Sequence, residues 1–124
     1  MENRILGYEN YKYILVDDVS TDRTVELARA LTCDLTHVTI STNTEKKYSL
    51  RNIYEGIQLL NPSPEDIIVT LDGDDWLANP DVFNTLNKRY NERDCWMTYG
   101  SYLEYPSGNR GIESSEYPPE QLSD

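Results

Sequence analysis

Three aspartates lie within four residues of one another, directly after an apolar run. Asp72, Asp74 and Asp75 follow segment 66–71, and Gly73 separates the first two. Ionised carboxylates this close repel one another, and a bound cation relieves that repulsion. Because residues two apart on an extended chain point the same way, Asp72 and Asp74 can address one ligand. Hard oxygen donors suit Mg²⁺ or Mn²⁺, so the cluster predicts a divalent metal site.

A second pair of carboxylates, Asp17 and Asp18, also ends an apolar run. The residue patterns predict alternating strands and helices, with strands over 11–18, 35–40, 66–71 and 95–100 and helices over 20–31, 48–60 and 80–90. This β-α-β order is typical of a mostly parallel sheet flanked by helices. Both acidic groups are therefore expected at the carboxyl edge of one sheet, where open α/β sheets bind ligands.

The stretches that carry these acids resemble landmarks of the family-2 glycosyltransferases. "ILVDDVSTDRTVELA", "SLRNIYEGI" and "IVTLDGDDWLANPDV" occur in the family's order and at sensible spacing, over roughly residues 10–100. The resemblance implies the GT-A fold, a Rossmann-like α/β core that binds nucleoside-diphosphate sugars. It also implies a truncated core, because the family's first strand-helix unit and its acceptor half have no counterpart in these residues.

The resemblance also implies roles for individual residues. Those expected to bind the nucleotide sugar are Asp17, Asp18, Arg51, Asn52 and Asp72. The metal, Mn²⁺ or Mg²⁺, is expected on Asp74, with Asp72 and Asp75 as further ligands. Since neighbouring residues of a strand point to opposite sides, one of Asp17 and Asp18 is expected to touch the ligand directly.

The reaction implied by the resemblance is an inverting, metal-dependent sugar transfer. The donor would be a nucleoside-diphosphate sugar, a UDP-sugar first among them, and the acceptor a saccharide or another hydroxyl compound. Such a transfer needs a general base, and no carboxylate after Asp75 stands in the family's context for one. The alternative is a truncated, non-catalytic nucleotide-binding or interaction module of the same fold. A receiver domain is disfavoured, because no lysine follows Lys88.

The composition of the chain bears on which partners it can bind and on its expected cellular location. The chain of 124 residues carries a net charge of −11 and lacks a basic stripe, which argues against nucleic acid as a partner. It contains no apolar run of about 20 residues and no signal-peptide core, so a cytoplasmic location is expected. Its two distant cysteines, Cys33 and Cys95, are expected to be buried free thiols. Residues 1–104 are predicted to form the partial GT-A domain and residues 105–124 a loosely ordered polar tail.

The resemblance has one further consequence, for the edges of the sheet. In the GT-A sheet the first strand lies between the strand at 11–17 and the strand at 66–71. Without that strand, both neighbours would expose unpaired backbone groups, which are templates for another chain. The chain is therefore expected either to self-associate through this gap or to be poorly stable alone.

Overall fold

Two parallel strands form the sheet in residues 8–111, which are the residues that the computed structural model describes. Strand β1 spans Tyr13–Asp17 and strand β2 spans Val38–Thr42. The two pair along their whole length, so that Asp17 at the end of β1 lies opposite Thr42 at the end of β2. Both are short runs dominated by β-branched and apolar residues, as strands half covered by helices require. Their parallel pairing brings the two carboxyl ends to one edge.

Three helices are present in the described residues: α1 over Thr24–Thr32, α2 over Tyr48–Leu60 and α3 over Val82–Glu92. Helix α1 makes the crossover that a parallel β1–β2 pair needs. All three predicted helices are confirmed, and α2 has the predicted bounds. Its C-cap residue is Asn61, whose backbone is left-handed with φ 47° and donates to the carbonyls of Ile57 and Gln58 at 3.2 Å. Within the described ranges no helix has both the length and the apolar character to cross a bilayer.

The strands predicted over 66–71 and 95–100 are wrong, because neither segment pairs into a sheet. An apolar run becomes a strand only when a neighbour supplies a row of hydrogen bonds, and no described residue supplies one to either segment. The α/β class is confirmed. Within the described residues, however, the expected larger sheet is a single parallel pair flanked by helices.

Helix α2 packs on β1 through a glycine. A Cβ atom added to Gly56 would lie 3.3 Å from Cγ2 of Val16 and 3.8 Å from Cγ2 of Ile14. Ile14 and Val16 are two residues apart, so they share the face of β1 that α2 covers. The missing side chain of Gly56 therefore allows the close approach of α2 to β1.

The apolar side chains are poorly shielded from solvent. None of the hydrophobic side chains in the described residues is buried, whereas Asp17, at 6% exposure, is. A two-stranded sheet with short helices offers too little area for two closed layers around a core. Both cysteines are free thiols, as expected, but the predicted burial is wrong for Cys33, which is exposed, while Cys95 is half-buried.

The chain divides into two compact units, one ending at Lys88 and the other beginning at Arg89. In the second unit an antiparallel bridge joins Leu103 to Arg110. The polar tail predicted over 105–124 begins within this unit, and its residues 112–124 lie outside the described residues. The predicted domain boundary at residue 104 stays a prediction.

Candidate functional site

The carboxylate of Asp18, which directly follows β1, reaches the first turn of α2. Its Oδ1 accepts the backbone N–H of Lys47 at 2.8 Å, and its Oδ2 accepts that of Tyr48 at 3.0 Å. Lys47 is the N-cap residue of α2 and makes no capping bond through its own side chain. Asp18 therefore caps α2 from another element, and its negative charge suits the positive end of the helix dipole.

Asn43 extends this arrangement from the end of β2. Its Nδ2 donates to Oδ1 of Asp18 at 2.9 Å and to Oδ1 of Asn52, on α2, at 2.7 Å. Its backbone N–H also donates to the carbonyl of Asp17 at 2.9 Å. We call Asp18, Asn43 and Asn52 the Asp18 cluster. Asn43 was missed in the sequence. The signal that could have found it is an amide residue just after a strand predicted to be parallel to the one before Asp18.

Hydrogen bonding keeps Asp18 ionised. The backbone N–H of Lys47, then the Asn43 side chain and more weakly the Tyr48 N–H and the Asn52 side chain, hold the pKa of Asp18 well below its usual range. An ionised carboxylate only accepts hydrogen bonds, and it offers about four lone-pair directions. The bonds from Lys47, Asn43 and Tyr48 take two on Oδ1 and one on Oδ2. Oδ2 therefore accepts one bond fewer than Oδ1 from these three donors.

Asp17 faces different partners from Asp18. Its buried carboxylate accepts the backbone N–H of Ser20 through both oxygens, at 3.2 and 3.3 Å, and so closes the turn after β1. In that turn Val19 has a φ of 66°, and Tyr48 at the start of α2 has a φ of 63°. A left-handed backbone is unusual for a non-glycine residue and above all for a β-branched one. Val19 directly follows Asp18 in the chain, and the backbone N–H of Tyr48 donates to the Asp18 carboxylate.

Arg51, expected beside the base or diphosphate, is held by an ion pair on α2. Its Nε donates to Oε1 of Glu55 at 2.8 Å, and Nζ of Lys47 donates to Oε2 of the same carboxylate at 2.6 Å. The Lys47 bond, with that of Arg51, lowers the pKa of Glu55, and Glu55 raises the pKa of Arg51. The Nε bond uses one of the five guanidinium N–H groups. The ion pair with Glu55 thus positions Arg51, and the other guanidinium N–H groups can donate to a ligand.

A shallow depression of about 560 Å³ lies over the first turns of α2. Its lining residues are Lys47, Tyr48, Leu50, Arg51 and Tyr54. Two of them, Lys47 and Tyr48, are the residues whose backbone groups bind Asp18. Exposed tyrosine rings and a guanidinium group beside a carboxylate suit a flat, polar-edged ligand.

The second acidic group lies on an exposed turn. The backbone N–H of Asp75 donates to the carbonyl of Asp72 at 3.1 Å, and the side chains of both are exposed, as is that of Asp74. The prediction that these aspartates end a strand of the same sheet as Asp17 and Asp18 is wrong, because segment 66–71 does not pair with β1 or β2. No group of three or more His, Cys, Asp or Glu side chains among the described residues is arranged to hold a metal ion. The metal assignment stays a prediction.

Comparison with known proteins gives one match. The family model described as Glycosyl transferase family 2 matches residues 2–121 of the 124-residue chain. No curated protein and no solved structure matches the chain significantly. The matched range contains the whole Asp18 cluster and the aspartates at 72, 74 and 75.

Proposed function

Because this chain belongs to glycosyl transferase family 2, we propose that it binds a nucleoside-diphosphate sugar at the Asp18 cluster and the first turns of α2. The family has the GT-A fold, and the small parallel sheet flanked by helices is part of that α/β architecture. Glycosyl transfer is the reaction class that the family implies. The nucleotide, the metal and the stereochemical course are our proposal.

One observation carries the nucleotide site: Asp18, which follows β1, is hydrogen-bonded through Asn43 to Asn52, and Asn52 lies next to Arg51 on α2. In this proposal Oδ2 of Asp18 accepts a ring N–H, and the guanidinium N–H groups of Arg51 other than that of Nε donate to a carbonyl or phosphate oxygen. A uracil ring offers one N–H between two carbonyl groups, which fits this pair. We therefore propose uridine diphosphate as the nucleotide. Asp17 would act by fixing the turn that presents Asp18.

The metal is proposed on the exposed aspartates. A net charge of −11 disfavours a diphosphate unless a cation bridges protein and phosphate. Mg²⁺ and Mn²⁺ commonly take only one or two carboxylates, with substrate phosphates and water completing the shell. The donor chemistry of Asp74, with Asp72 and Asp75 beside it, fits such an ion. When bound, it would neutralise charge on the leaving diphosphate.

In the proposed reaction an acceptor hydroxyl oxygen forms a bond to the anomeric carbon of the donor. The bond from that carbon to the diphosphate oxygen breaks on the opposite side, so the configuration inverts. The hydroxyl proton passes to a carboxylate base, a role that we assign to no described residue. Asp18 and Arg51 would hold the nucleotide, and so orient the sugar, before the acceptor attacks.

Calorimetric titration with uridine diphosphate tests this proposal. The unsubstituted chain should bind it in the presence of Mn²⁺ and lose binding with a chelator. Asp74→Asn keeps the side-chain shape but removes a charge, so it should lose the metal-dependent affinity. Asp34→Asn makes the same change at another exposed position and should bind like the unsubstituted chain. Equal affinity with and without chelator would refute the metal-diphosphate site.

A second candidate is a non-catalytic interaction module of the same fold. Its support is the thin apolar cover: no described hydrophobic side chain is buried, and among the described residues β1 is hydrogen-bonded along one edge only. A second copy of the chain would pair with the other edge and cover apolar side chains. This candidate predicts self-association, whereas a monomeric transferase core does not.

A further inference from the structure

We infer that Asn43 is a positioning residue for nucleotide binding, because its side-chain amide orients Asp18 and ties the carboxyl edge of the sheet to α2. The inference rests on the proposed function, since it takes Asp18 as the acceptor for the nucleotide. Asn43 touches neither the nucleotide nor the reacting atoms in this scheme. It acts through Asp18 and Asn52.

The chemistry of its partners determines how the Asn43 amide is oriented. The Asp18 carboxylate is ionised and accepts only, and the atom of Asn52 within reach is its carbonyl oxygen, also an acceptor. Asn43 must therefore turn its NH₂ group toward both, and each bond uses one of the two hydrogens. An aspartate of the same shape has no donor and would place a third oxygen against two others. The role consequently depends on donor chemistry and not only on side-chain size.

The strand register explains why Asn43 occupies this place. Asp17 lies opposite Thr42. The residues that follow the two strands, Asp18 and Asn43, therefore lie side by side at the carboxyl edge. The backbone N–H of Asn43 continues the ladder by donating to the carbonyl of Asp17. The side-chain amide of Asn43 thus links Asp18, which follows β1, to Asn52 on α2.

The unusual backbone around Asp18 agrees with this role. Val19 and Tyr48 both have left-handed backbones, and such conformations persist only where surrounding contacts hold them. Asp18 contacts Tyr48 directly and precedes Val19 in the chain. Without the Asn43 amide, Oδ1 keeps only its bond from the backbone N–H of Lys47, so the carboxylate is held less rigidly. Its Oδ2 atom is then less precisely positioned for a ligand donor.

Two measurements on Asn43→Ala and Asn43→Asp test the inference. The first is the pKa of the Asp18 carboxyl group, followed by carbon-detected NMR, and the second is the affinity for uridine diphosphate with Mn²⁺. Asn43→Ala should raise the pKa of Asp18 and weaken nucleotide binding by about tenfold, as loss of a hydrogen bond to a charged group does. Asn43→Asp should weaken binding further, because it sets a carboxylate against two acceptors. Asn84→Ala, the same change at an exposed position of α3, should alter neither quantity.

The outcomes separate this inference from the function on which it rests. An unchanged Asp18 pKa in Asn43→Ala, or full affinity in Asn43→Asp, would overturn the positioning role while the unsubstituted chain still binds nucleotide. Absence of binding by the unsubstituted chain would overturn the proposed function, and the Asp18 pKa would still show whether Asn43 holds that carboxylate. If the alanine variant does not fold, Asn43→Ser, which keeps one donor, replaces it and should give intermediate values of both quantities.

Discussion

Gly56 offers the sharpest test of how α2 meets β1. The approach of this helix places Lys47 and Tyr48 on the Asp18 carboxylate, so a side chain at Gly56 should disturb both the packing and the site. We consider Gly56→Ala and Gly56→Leu. Gly73→Ala is the matched control, because a Cβ added at Gly73 meets nothing within 4 Å.

Two opposing effects set the expected magnitudes. Replacing glycine by alanine or leucine inside a helix stabilises the helix by about 0.8–1.0 kcal/mol. The new Cβ would lie 3.3 Å from Val16, a few tenths of an ångström inside the optimal carbon-carbon distance of about 3.5–4.0 Å. Overpacking typically costs about 1–3 kcal/mol. For alanine, a cost near the lower end nearly cancels the helix gain, whereas leucine adds three more carbons at the same helix gain and should lose about 2 kcal/mol net.

Urea unfolding followed by far-ultraviolet circular dichroism measures these differences. Gly56→Ala should stay within about 1 kcal/mol of the unsubstituted chain, and Gly56→Leu should be clearly less stable. Gly73→Ala should be neutral or slightly stabilising, because it restricts the unfolded chain without a clash. If Gly56→Leu were as stable as the unsubstituted chain, α2 could not pack against Val16 at the distance observed.

The remaining predictions concern acid stability and association. The folded-state pKa of Asp18 is lowered, so its stabilising contribution is complete above the unfolded pKa of about 3.9 and is lost as the pH falls. The difference in melting temperature between the unsubstituted chain and Asp18→Asn should therefore narrow below about pH 4; a difference that stays constant down to about pH 2.5 would contradict this. Light scattering should show a mass that rises with concentration if β1 pairs with another copy of the chain. A compact monomer with one sharp, concentration-independent melting transition would show that this edge needs no partner.

Helices were predictable because their signals are local. The bounds of α2 follow from its apolar spacing and from the "NPSP" segment that stops it, and both lie within the residues concerned. Strands 66–71 and 95–100 were predicted on equally apolar runs and do not form among the described residues, because a strand needs a hydrogen-bonded neighbour elsewhere in the chain. Local composition contains no information on whether that neighbour is present.

The same division holds for the candidate site. The three motifs indicated the family by resemblance, and that resemblance singled out Asp18, Arg51 and Asn52 as expected ligand-binding residues. Only the tertiary structure decided that Asp18 caps α2 and that Asn43 joins it to Asn52. These contacts link residues 9 to 30 positions apart in the chain, and they depend on the register of β1 against β2 and on the approach of α2 at a glycine. Register and approach are set by the packing of whole elements, which no short stretch of sequence encodes by itself.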